Sequence, residues 1–167
     1  MKIKYTTYPD GIHDLVFTET AKDLGLPEPF TGDVELNCRM DKSSNQIVLT
    51  CDATYSADFI CDRCTENFIS VLNSNFILVK VFDPEFADSE DNNIEYLPSD
   101  VTVIDLEPDL VELLKLSLPM KRLCSDDCEG LCPGCGANLN QEECSCNNET
   151  VNPVWKDLLK IKDKLNN

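Results

Sequence analysis

The chain has 167 residues, enough for one medium domain with a small appendage, and 42% of them are hydrophobic, enough for a packed core. Its formal charge is −17, with 31 acidic residues against 14 basic ones. Such a surface repels phosphate, so direct nucleic-acid binding is disfavoured over most of it and basic protein partners are favoured.

The N-terminus reads MKIKYTTYPDGIHDLVF, and no long apolar run follows it. Neither a signal peptide, a lipidation signal nor a membrane span is therefore expected, and the expected location is cytoplasmic. Ten cysteines in a reducing compartment argue for metal rather than for a disulfide framework.

Residues 1–32 offer a short strand at Lys2–Tyr5 and a Pro-rich stretch, GLPEPFTG. His13, in PDGIHDL, reads as a solvated loop residue. Two alternating runs follow. In DVELNCRM, Val34, Leu36, Cys38 and Met40 share one face. In QIVLTCDATYSADFI, Ile47, Leu49, Cys51, Ala53, Tyr55, Ala57 and Phe59 share one face. Period two marks half-buried strands, and DKSSN between them suits a hairpin turn. A third run, ENFISVLNSNFILVKVF, reads as another strand with a bend near Asn73–Asn75. Together these predict an antiparallel meander or partial barrel, with CDRC at the turn between its last two strands.

From Val81 to Leu114 there are eleven acids and no lysine or arginine. The ADSEDNN portion is expected to be a mobile loop. Pro108 stands where a helix begins. Leu110, Leu113, Leu114 and Ser117 fall on one helical face, and the helix should end before Pro119. A cysteine-rich stretch follows. Asn152-Pro153 then caps a predicted C-terminal helix with Trp155, Leu158, Leu159 and Leu165 on its apolar stripe. Lys156, Lys160, Lys162 and Lys164 lie toward its C-terminal end, where cations suit the dipole. The expected class is α+β, in three parts. These are a sheet domain with acidic loop and helix (1–120), a zinc-binding cysteine module (121–150) and an amphipathic helix (151–167).

Cys38 and Cys51 each fall on the apolar face of a predicted strand, without a second cysteine at ligand spacing. They read as buried thiols packed as small hydrophobes. The other eight form four close pairs: Cys61/Cys64, Cys124/Cys128, Cys132/Cys135 and Cys144/Cys146. Four pairs make two four-thiolate sites. In the C-P-x-C-G knuckle a tight turn places two sulfurs on one ion and aims backbone N–H groups at them, and Gly136 can take positive φ just after the second ligand.

Two groupings are open. In the preferred one, Cys132, Cys135, Cys144 and Cys146 share a zinc, because the short loop GANLNQEE closes it cheaply, while Cys61, Cys64, Cys124 and Cys128 form a second site. In the other, Cys124, Cys128, Cys132 and Cys135 form one site and Cys144/Cys146 join Cys61/Cys64. Catalytic zinc keeps an open position, often beside His or carboxylate. The one histidine here is far from any cysteine in sequence, so structural zinc is expected, one ion or two.

These residues resemble a known family. CDRC at a strand turn, a helix ending in SLP, CEGLCPGCGANLN, a later C-x-C and a final N-P helix are similar to the YceD-like family, over roughly residues 33–165. That resemblance implies a bacterial cytosolic protein needed for accumulation of 23S rRNA, with no known enzymatic reaction. The family's cysteine motifs fall on the same eight cysteines. Some members keep the C-x2-C but lack the later cysteines, which would make the knuckle around Cys132 dispensable to the shared role.

The expected function is therefore that of a non-enzymatic assembly protein. Its acidic 83–112 segment would bind a basic ribosomal protein or assembly factor, with zinc fixing the platform. The alternative is a thiol-redox or zinc-dependent switch or enzyme using the C-x2-C pairs, with Arg63, Lys121 and Arg122 near the thiols. Direct RNA binding by the knuckle fits poorly, since residues 123–150 contain no lysine or arginine.

Overall fold

A computed structural model describes residues 1–86 and 94–146; the ADSEDNN loop and the C-terminal helix expected above lie outside the described residues. The chain forms two compact units. One is Met1–Ile60 with Asn67–Arg122, and the other joins Cys61–Glu66 to the chain from Leu123 onward.

The first unit is built on strands β1 (Lys2–Ile3), β2 (Gly11–Thr20), β3 (Phe30–Lys42), β4 (Gln46–Ile60), β5 (Asn67–Val81), β6 (Ile94–Tyr96) and β7 (Ile104–Asp105), with one helix, α1 (Glu107–Leu116). Strands β2 to β5 run as an antiparallel meander, and β6 adds in parallel to β5. The alternating residues of β3 and β4 behave as their period requires. Val34, Leu36, Met40, Ile47, Leu49, Ala53 and Tyr55 are all buried at 1% exposure or less.

β5 pairs with β4 without interruption from Gln46↔Val81 to Ile60↔Asn67. The ladder runs unbroken through Asn73–Asn75, where a bend was expected. Asn73 accepts a hydrogen bond from Thr54 Oγ1 across the ladder at 2.9 Å, so its polar side chain is satisfied within the sheet. The irregularity lies in β3, between Thr31 and Glu35, where Gly32 takes a φ of 70°.

Two expectations for the N-terminal segment need correction. Only Lys2–Ile3 of the predicted first strand is extended, since Tyr5–Thr7 turns into a 3-10 helix. His13, expected in a loop, lies on β2, its Nε2 2.9 Å from the Pro9 carbonyl oxygen and its ring beside Tyr8. The ten residues of β2 carry apolar side chains on both faces, Ile12 and Val16 on one and Leu15 and Phe17 on the other. The period-two signal is thereby blurred.

A third correction concerns Cys38 and Cys51. They face each other directly across β3 and β4, 4.1 Å apart at Cα, and form a buried disulfide rather than two free thiols. Taken one strand at a time they look like small apolar residues; only the hairpin register makes them partners.

The core lies against the inner sheet face. Pro108 sits in the first turn of α1, where its missing N–H costs nothing, and Glu107 and Asp109 complement the dipole there while Lys115 does so in the last turn. Leu110 and Leu114, one turn apart, are fully buried, each contributing about 1.5–3 kcal/mol relative to exposure. Ser117 closes the helix through its N–H to the Leu113 carbonyl, and its hydroxyl meets the Tyr55 hydroxyl at 2.6 Å.

Several acids of the 83–112 segment are engaged within this unit. Buried Lys80 pairs with Glu95 and, at 3.2 Å, with Asp109. Lys2 pairs with Asp105, and Glu107 with the Met1 amino group. Among the described residues no helix is long and apolar enough to cross a membrane.

Candidate metal centres

The sequence from Cys61 to Glu66 joins β4 to β5 as a tight knuckle. The Thr65 N–H donates to the Cys61 carbonyl at 3.0 Å and the Cys61 N–H to the Glu66 carbonyl at 2.9 Å. Thr65, directly after the second cysteine, takes a φ of 60°. A second knuckle repeats the design at Cys132–Gly136. There the Gly136 N–H donates to the Cys132 carbonyl at 2.9 Å, with a φ of 79° at Gly136. Both turns need a left-handed residue after their second cysteine. Glycine meets that need freely at Gly136, whereas Thr65 holds it against a steric cost.

The two knuckles collect different partners. The sulfurs of Cys61, Cys64, Cys124 and Cys128 all lie within 4.8 Å of one another, and so do those of Cys132, Cys135, Cys144 and Cys146. This is the first of the two groupings left open by the spacing. Arg63 ties the first quartet together. Its guanidinium donates to the Cys128 carbonyl at 2.7 Å, and its own carbonyl accepts from the Leu131 N–H at 3.0 Å. Gly130 permits that approach. It has a φ of 81°, and a Cβ there would meet the Arg63 oxygen at 3.0 Å.

The donor set suits a tetrahedral ion. Zinc–sulfur bonds of ~2.3 Å in a tetrahedron put sulfurs about 3.8 Å apart. In the first quartet Cys61 and Cys128 are separated by 3.8 Å and Cys64 and Cys124 by 3.6 Å. The second is tighter, at 3.4 Å for Cys135–Cys144 and 3.1 Å for Cys144–Cys132. The two also differ in enclosure: three cysteines of the first are buried, but only Cys132 of the second.

Amide donors point at the sulfurs, as thiolates require. The Cys124 N–H reaches Cys61 Sγ at 3.4 Å, the Gly134 N–H reaches Cys132 Sγ at 3.4 Å, and the Cys146 N–H reaches Cys144 Sγ at 3.3 Å. Asn140 lies between Cys135 and Cys144 in sequence, yet its side-chain amide donates to Cys128 Sγ of the other quartet at 3.4 Å. Its carbonyl oxygen accepts from the Glu129 N–H at 2.8 Å. Sequence spacing did not single out Asn140, because no pattern of donors to sulfur is visible before the fold brings them together.

Crowding separates the thiols. Burial pushes the Cys61 thiol up, but backbone N–H groups of Cys64, Cys124 and Arg63 outweigh it and hold it at about 6. The Cys135 N–H, helped by the Cys144 thiol and the Gly134 N–H, holds Cys132 at about 6. Cys124 is pushed up to about 12 by Cys64 and by burial, and Cys144 to about 12 by Cys132. Cys64 is also raised, because burial and the neighbouring Cys61 outweigh the Glu66 N–H, and Cys146 is raised chiefly by Cys135. Without a cation four sulfurs so close cannot all ionise; a divalent ion removes that conflict. The eight cysteines could thus hold two ions, and tetrahedral all-sulfur geometry admits zinc or iron.

Comparison with known proteins adds the family. The model for "Large ribosomal RNA subunit accumulation protein YceD" matches residues 49–162. A relative in Arabidopsis thaliana, "Large ribosomal RNA subunit accumulation protein YCED homolog 1, chloroplastic", is 25% identical over 131 residues, covering 63% of this chain and 41% of the relative. Uncharacterized proteins of Mycobacterium bovis and Mycobacterium tuberculosis are 28% identical over 155 residues, covering 90% of this chain and 72% of theirs. The chain thus spans less than half the length of the plant relative. No solved structure matches.

Proposed function

The chain belongs to the YceD family, and on that premise we propose that it is a non-enzymatic zinc-binding protein supporting accumulation of 23S rRNA and assembly of the large ribosomal subunit. It does so by holding a basic ribosomal protein or assembly factor. The observation that carries the zinc reading is the sorting of eight sulfurs into two all-cysteine quartets. Four thiolates around one ion leave no position for a substrate or a reactive water, so the metal's work is to fix the fold. Each closed site keeps a net charge of about −2, and the surface stays strongly anionic when loaded. A protein of this charge shields a cationic partner from premature contact with RNA.

Metal analysis of the purified chain tests the first half. Two zinc ions per chain are expected, with one lost in Cys61→Ser and one in Cys135→Ser. Loss of all metal from both variants would rule out two independent sites. Pull-down at low and high salt tests the second half; absence of every ribosomal-protein partner at low salt would sink the adaptor reading.

One observation favours a redox reading, namely that this chain carries an oxidised pair, Cys38–Cys51. Bound thiolates, however, are held against exchange by their ion. Under mild peroxide, unchanged metal content speaks against the switch and metal release for it.

A further inference from the structure

We propose that the outer face of the five-stranded sheet is a docking surface for a cationic polypeptide that carries apolar side chains among its lysines and arginines. The inference deepens the adaptor reading and rests on it for the existence of a partner.

Antiparallel sheets with one solvated face normally turn polar residues outward. Here six β-branched apolar residues do so. Ile12, Val16, Ile60, Ile69, Val71 and Ile77 are each between 52% and 67% exposed. Scattered apolar residues on a surface mean little, but these share one face of one sheet. Five of them fall in two stripes, and Ile77, opposite Thr50, stands apart from both. Ile69 stands opposite Asp58 and Val71 opposite Ser56, with Ile60 one diagonal away, on neighbouring strands β4 and β5. At the far edge, Ile12 stands opposite Asp41 and Val16 opposite Asn37, on β2 and β3.

Carboxylates stand within and between the stripes. Asp14, Glu35, Asp41, Asp52 and Asp58 are exposed on this face, against one cation, Arg39. Among the described residues none of these five makes an ion pair. In the 83–112 segment Glu95, Asp105, Glu107 and Asp109 are paired, while Asp83, Glu85, Asp100 and Glu112 make no ion pair among the described residues. This face therefore carries unpaired negative charge of its own, beside that of the 83–112 segment. A shallow groove lined by Thr50, Asp52, Asn75 and Ile77 crosses the centre of the face.

The sign of the face selects the occupant. A second copy would bring five carboxylates against five, a nucleic acid or an anionic membrane would bring phosphates, and both arrangements are repelled. A basic chain with interspersed apolar side chains satisfies carboxylates and β-branched stripes together. The charges speed encounter, and the buried apolar contacts set residence.

The test is NMR titration of the isotopically labelled full chain with an amphipathic lysine–leucine peptide, with a lysine homopeptide as the control. Amide shifts should concentrate on β4 and β5 around Asp52, Asp58, Ile69 and Val71. The homopeptide should bind more weakly. An Asp52→Asn, Asp58→Asn, Val71→Thr variant with unchanged spectral dispersion should bind the amphipathic peptide about tenfold more weakly. Equal binding of the two peptides would overturn the apolar component. Shifts confined to other surfaces would overturn the docking face while leaving the adaptor reading intact. No binding of either peptide would count against both. Concentration-dependent shifts on this face in the free chain would assign it to a second copy instead.

Discussion

Thr65 and Asn140 show how single residues set the quality of a thiolate site. Thr65 occupies the left-handed position that glycine fills in the second knuckle. A β-branched residue there costs about 1–2 kcal/mol, part of which glycine returns through its greater freedom when unfolded. Thr65→Gly is therefore expected to tighten metal at the first quartet by ~2- to 5-fold, measured by competition with a chromogenic chelator. Asn140 acts in the opposite direction. Its amide donates to Cys128 Sγ, neutralising part of the thiolate charge. Donors of this kind are worth ~10- to 100-fold in metal affinity, so Asn140→Ala should weaken the first quartet by at least about tenfold. The same competition assay checks it, with Cys135→Ser as background so that only one ion is counted. An unchanged affinity would show that the 3.4 Å contact to sulfur carries no energy.

At the scale of elements, α1 and the meander answer to different rules. The helix is held by its buried stripe rather than by propensity, since only ten residues form it. Leu110→Ala should therefore destabilise the first unit by about 2–5 kcal/mol, read as a lower denaturant midpoint. The metal count should stay unchanged, because the eight sulfurs belong to the other unit.

These elements were unequally legible in the sequence. β3, β4 and α1 could be read because each buries one face and exposes the other, and burial is what periodicity records. β2 could not, because its exposed face carries Ile12 and Val16 among its polar residues. The disulfide could not, because it depends on cross-strand register. The eight cysteines were legible as pairs, since knuckle spacing is local. Which pairs meet was legible in part: the short loop favoured joining Cys132/Cys135 to Cys144/Cys146, as the fold does, but Cys64 and Cys124 are 60 positions apart and only the fold joins them.

For the molecule as a whole, an ion held by these sulfurs would compete with their protons. In the metal-free chain at neutral pH, Cys61 near 6 is largely ionised, while Cys124 near 12 and the raised Cys64 keep their protons. Binding at the first quartet must therefore release at least those two. Apparent affinity should rise by about two or more log units per pH unit around neutrality, and fall more steeply once Cys61 also protonates below about 6. Chelator competition across pH measures this; a flat profile would mean that the sulfurs are already free of protons. The more exposed second quartet should lose its ion first when chelator is added.

The 60-position interval between Cys64 and Cys124 also has a consequence in time. A growing chain presents the Cys61–Cys64 half-site long before its complement exists. At ~5–20 residues per second, about 3–12 seconds pass between the two halves during synthesis. Through that interval two thiols wait with half a coordination shell, open to any passing ion or oxidant. A chain truncated before Cys124 never completes the shell. An ion bound at the first quartet would thus record that translation went far enough.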